Sequence, residues 1–222
     1  MSRDTLLATL RRPYLAVALT AVISAAAVLS AYPFTAERLT ALTRETGWIE
    51  VATAALYGIA TASLLALWRK DGRFFLHSAF VVALLWAREL DLHKAFTSDS
   101  VLSTRFFFRD HAGVTEKVVA GLVLLVFAVI VIRYLRNWRR LRDGLTLRSP
   151  AAISAALAVL LLPATKSLDA FGRVAKGLGF EITFDINAVG IVEESVELAI
   201  PAVIILAAAQ YLFSGRSDRS PA

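Results

Sequence analysis

Apolar runs about as long as a bilayer is thick recur six times along this chain, with little sequence left between them. A helix needs about 20 mainly apolar residues to cross the hydrocarbon core. The runs cover roughly residues 13–32, 47–68, 74–92, 115–132, 150–169 and 186–213 of 222. No stretch remains for a separate soluble domain, so 1–222 reads as one transmembrane domain. Hydrophobic residues make up 57% of the chain, against about 45–50% in soluble domains. An isolated membrane span must satisfy its backbone internally, which here means helix. The predicted class is therefore all-α, a polytopic integral membrane protein built as a six-transmembrane-helix bundle.

Several local signals sharpen the boundaries. Arg3, Arg11 and Arg12 precede an Ala-rich run that resembles a signal peptide in outline. The run is long for that, which favours an uncleaved first span. The segment Arg133–Arg142, with Tyr134 and Trp138, suits an anionic lipid surface. Ser149 followed by Pro150 is a cap and first-turn proline, a good helix start. Residues 171–187 hold several glycines and read as a short interfacial piece.

Lys and Arg set the orientation, because they collect in cytoplasmic connections. With the N-terminus inside, 14 of the 24 basic residues fall on the cytoplasmic side. The chain is accordingly expected to be N-in and C-in in the inner (plasma) membrane. The net charge of +6 then reflects topology, and membrane lipids are the expected partners rather than nucleic acid. The chain has no cysteine, which excludes disulfides, thiolate metal sites and a cysteine nucleophile.

The acids are distributed unevenly in the same frame. Only Asp4, Asp71, Asp143 and Asp218 fall inside, and the other 14 of 18 lie outside or at outer span ends. Glu89 and Glu197 come out about one turn within the hydrocarbon. Glu50, Asp91, Glu116, Asp169, Glu193 and Glu194 lie near the outer interface. A carboxylate at membrane depth is costly unless paired, protonated or wet. The cations at that level are Arg88, Lys117 and Lys166, with His93 a further candidate. They are too few to pair every acid.

Spacing then suggests which acids work together. Glu193 and Glu197 are four apart and share a helical face, as do Glu89 and His93. Pro201 removes the amide that would bond the Glu197 carbonyl. If the two faces meet, Glu89, His93, Glu193 and Glu197 form a carboxylate–imidazole site of the kind that holds a divalent metal. Glu50, Asp91 and Glu194 are weaker members of that set. Glu89 and Glu197 are also the candidate acid and base, and a divalent cation is the cofactor this donor set admits. Arg105, Arg109 and His111 in the connection after span three are candidates for a substrate phosphate. Plainer explanations compete. Acids favour helix N-termini in any case, and Glu89 can simply pair with Arg88 or Lys166.

Three functional classes fit these features. The first is a metal-dependent enzyme, a hydrolase or transferase, acting on a lipid or lipid-linked substrate at the extracytoplasmic face. The second is a cation or proton transporter using the same acids. The third is a non-catalytic assembly or sensing subunit. Transporters commonly show inverted repeats around a midplane site. Here the acids crowd one side and no repeat is evident, so the one-sided site is preferred. No P-loop or G-x-S-G motif occurs.

Overall fold

The computed structural model describes residues 3–31, 48–90, 92, 113–136, 138–177 and 186–214. Every regular element among them is a helix. They are α1 (Arg3–Leu10), α2 (Leu15–Ala31), α3 (Trp48–Asp71), α4 (Arg73–Glu89), α5 (Val114–Arg136), α6 (Trp138–Thr146), α7 (Pro150–Gly177) and α8 (Ile186–Ser214). Three stretches are long and apolar enough to cross a membrane: Trp48–Lys70, Pro150–Ser167 and Gly190–Phe213. Leu15–Leu29 is a shorter apolar helix.

The bundle is assembled around α8, which packs on α2, α3 and α7. Burial on several sides explains its composition. Leu198, Ala199, Ile200, Pro201, Val203, Leu206 and Ala208 are all buried, so the apolar residues wrap the helix instead of forming one stripe. Ile200 and Ala208 join Tyr57, Leu64, Leu67, Phe75 and Val82 in one core cluster, while Val203 and Leu206 meet Ala16 and Ala158 in a second. Pro201 lies within α8, where it cannot supply the amide of the i to i−4 bond.

Two corners set the register. Between α3 and α4 stands Gly72 at φ 88°, a left-handed conformation that costs glycine little. The one-residue joint folds α3 and α4 into an antiparallel pair. Gly58 lies 14 residues before the joint and Trp86 lies 14 after it. A Cβ on Gly58 would stand 3.0 Å from the Trp86 ring, so glycine lets the two helices close together. The second corner joins α6 to α7. The Arg148 amide donates to the Leu145 carbonyl at 3.0 Å and the Ser149 amide to the Gly144 carbonyl at 2.8 Å. With Arg148 at φ 52°, this is a Schellman ending with a non-glycine residue in the left-handed position. Pro150 then opens α7, where the Ser-Pro pair indicated a start.

Hydroxyls buried in the helices bond within them. Thr53 donates to the Ile49 carbonyl at 2.8 Å, Thr61 to Tyr57 at 2.9 Å and Ser195 to Val192 at 2.8 Å. Such bonds satisfy a polar group where water is absent. Between helices, Ser154 on α7 donates to the Gln210 side-chain carbonyl on α8 at 2.6 Å. Large apolar side chains face outward in numbers, with Val118, Val119, Leu122, Leu125, Val126, Val129 and Ile132 all exposed on α5. An apolar outer surface of this kind is compatible with a membrane protein.

One element differs from expectation, and one is defined further. Helix α7 continues to Gly177, so the first part of the 171–187 stretch extends a helix instead of forming a separate interfacial piece. The basic segment after α5 folds as the short helix α6. Leu141 is buried beneath it while Arg139 and Arg142 stay exposed, so it is amphipathic.

Candidate functional site

The antiparallel runs of α4, α7 and α8 bring three distant stretches of sequence to one end of the bundle. Glu197 lies on α8 just before the buried Leu198–Pro201 segment. Its Oε1 accepts from Arg88 Nη2 of α4 at 3.3 Å and lies 3.2 Å from Lys166 Nζ of α7. Lys166 also reaches Glu193 Oε1 at 3.6 Å. The side chains of Glu197 and Glu193 are 15% and 20% exposed, against 35% for Arg88 and 48% for Lys166. The acids are the inner partners, and the cations close over them from the rim.

Other charges lie within the field of this node. Glu89 interacts electrostatically with Glu197, Arg88, Lys166 and Glu50. Glu194 does so with Glu197, Glu89, Glu193 and Glu50. Both are half-buried. Beneath them Tyr57 is 4% exposed and interacts with Glu89, Glu197 and Arg88. Glu197 thus pairs with Arg88 and Lys166 and Glu193 with Lys166, while Glu50, Glu89 and Glu194 lie within electrostatic reach of this node.

Of the residues singled out from sequence, Glu193 and Glu197 with the cations Arg88 and Lys166 are in contact here, Glu89 lies in their field, and no such contact is seen for Lys117 among the described residues. The sequence reading did not name Tyr57. The signal was available in the α3–α4 corner, because Tyr57 lies 15 residues before Gly72 and Arg88 lies 16 after it. On antiparallel neighbours those positions share a height. Tyr57 also follows Glu50 by seven residues, on the same helical face.

The metal expectation meets a narrower picture. Among the described residues no three His, Cys, Asp or Glu side chains stand close enough to share one ion. His93, the imidazole of the expected donor set, lies outside the described residues, as do Asp91, Arg105, Arg109 and His111. Of the expected donor set, Glu50, Glu89, Glu193, Glu194 and Glu197 are described. No known protein family, characterised protein or solved structure matches the chain.

Proposed function

We propose that the chain is a six-span, N-in and C-in protein of the inner membrane, with an acid–base site at its extracytoplasmic end. The site acts on a polar group of a lipid or lipid-linked substrate. The observation that supports this most directly is the sharing of Glu197 between Arg88 and Lys166, cations from two other helices, with Glu89 and Glu194 in its field. In this reading Arg88 and Lys166 hold Glu197 in place. Glu89 and Glu194 take and return the proton in the reaction, the work of a general base and acid. Tyr57 closes the floor of the site. Arg105, Arg109 and His111 meet the headgroup phosphate from the connection.

The reading is tested by comparing the lipids of membranes that express the wild type, Glu89→Gln/Glu194→Gln, and Arg12→Gln, an exposed change outside the node. A lipid species consumed or formed with the wild type and Arg12→Gln, and unchanged with the double variant, is the expected result. Identical lipid profiles in all three overturn it. Elemental analysis of the same purified proteins reports whether a divalent cation shares the node.

The ion pairs themselves favour one second reading, a clamp that fixes α4, α7 and α8 without chemistry. Under it, Glu197→Gln lowers thermal stability in detergent while every lipid species stays the same. Transport has less support, because the space below Arg88 and Lys166 is lined by apolar side chains such as Leu85 and Leu162.

A further inference from the structure

At the end of the bundle opposite the acidic node, α4 and α7 stand apart. Helix α4 packs on α3, α7 packs on α8, and the two make at most marginal backbone contact with each other. The space between them is a crevice of about 620 Å³, within the range of ligand sites. It follows α4 from Phe74 to Leu85 and α7 from Ala151 to Leu162. Eleven residues of helical rise make that about 17 Å, slightly more than half of a hydrocarbon core about 30 Å thick. Val82, Leu85, Ala155, Val159 and Leu162 line its depth. Ser78, the polar side chain partway along, donates its hydroxyl to the Phe74 carbonyl at 3.0 Å.

The mouth differs from the depth. Helix α6 and the α6–α7 corner cover it with Leu141, Asp143, Gly144, Leu147 and Ser149. Asp143 is the acid in the lining, and Arg142 pairs with it at 3.2 Å. Arg73, Arg139, Arg142 and Arg148 are exposed around this end. The closed end, at Leu85 and Leu162, lies one turn below Arg88 and Lys166. The entrance, with Asp143 in its lining and Arg142 paired to it, is polar, exposed arginines lie beside it in the chain, and the crevice is apolar to its end. An apolar space of this size left empty forfeits the dispersion contacts of its lining, and it offers water few partners.

We propose that this crevice seats one anionic glycerophospholipid of the cytoplasmic leaflet. Its acyl chain lies between α4 and α7, and its headgroup rests against the arginines of α6 and the α6–α7 corner. The amphipathic polarity of such a lipid matches that of the crevice, and a basic juxtamembrane cluster selects negative charge. The tight corner positions this cluster. Gly144 has no room for a Cβ, which would stand 2.8 Å from Ala152 Cβ, so α6 is held close over the entrance. The lipid site does not depend on the acidic node, since the two lie at opposite ends of the bundle.

The test is quantitation of phospholipid retained by protein purified in mild detergent and offered equal amounts of phosphatidylglycerol and phosphatidylcholine. The wild type should retain phosphatidylglycerol in preference by about tenfold. Ala155→Phe, which fills the crevice, should lose both lipids. Arg142→Gln/Arg148→Gln, confined to exposed side chains, should keep a lipid but lose the preference. Equal retention by the wild type and Ala155→Phe overturns the proposal, as does a wild type that holds no lipid or shows no preference. Native mass spectra showing a second copy of the chain displacing lipid would also overturn it. Should Ala155→Phe not yield a monodisperse helical protein, the arginine variant decides alone.

Discussion

The two ends of this bundle treat charge in opposite ways. At the acidic end, carboxylates sit on the inside of the helices and cations reach over them from neighbouring helices. At the basic end, arginines stay at the surface and the space they surround is apolar. Charge at the first end is consequently part of the tertiary structure, because Glu197 has partners on α4 and α7. Charge at the second end can be removed without opening the bundle. A charged side chain affects stability according to what it leaves behind when it is lost, and the acidic end leaves two cations on neighbouring helices beside a half-buried position.

Mutations can break or sharpen this contrast. The largest effect is expected for Glu197→Lys, which places a third cation beside Arg88 and Lys166. It should cost about 2–4 kcal/mol, somewhat less than disrupting a fully buried pair because Arg88 and Lys166 are partly exposed, and show as a large fall in thermal stability in detergent. Glu197→Gln removes two charge-assisted contacts, for about 1.5–3 kcal/mol. Adding Arg88→Gln to it should cost much less than the sum of the two single changes in a double-mutant cycle. Gly58→Leu must push Trp86 away from α3, at about 1–3 kcal/mol, and a shift in tryptophan fluorescence reports the displacement. Ser154→Ala leaves the buried Gln210 amide short of a partner, at about 1 kcal/mol. Arg142→Ala comes last. Its pair with Asp143 is fully at the surface, and stability should not move by more than about 0.5 kcal/mol. A loss for Arg142→Ala as large as that for Glu197→Gln would erase the distinction between the ends.

Much of the architecture follows from local sequence. The apolar runs mark where α2, α3, α4, α5, α7 and α8 lie, because length and hydropathy are properties of contiguous residues. Ser149 and Pro150 mark the start of α7, since capping involves only near neighbours. The expected 186–213 span corresponds to α8 at Ile186–Ser214. Where the pattern was misread, the cause was local ambiguity. Glycines in 171–187 suggested a break, yet the α7 helix runs on to Gly177.

Which side chains meet was decided by the fold alone. Counting levels cannot tell whether Arg88 or Glu89 faces Glu197, because adjacent residues differ by about 100° around a helix and only packing sets the rotation. Tyr57 joins the node through the Gly72 joint and the Gly58–Trp86 contact, which fix the register of α3 on α4. The crevice has no signature in any one helix, since it exists only because α4 and α7 pack elsewhere. Sequence by itself determined that this chain is helical and apolar and that its charges are separated along the helix axes. Tertiary structure decided their partners, because pairing depends on rotation and register between helices that are far apart in the chain.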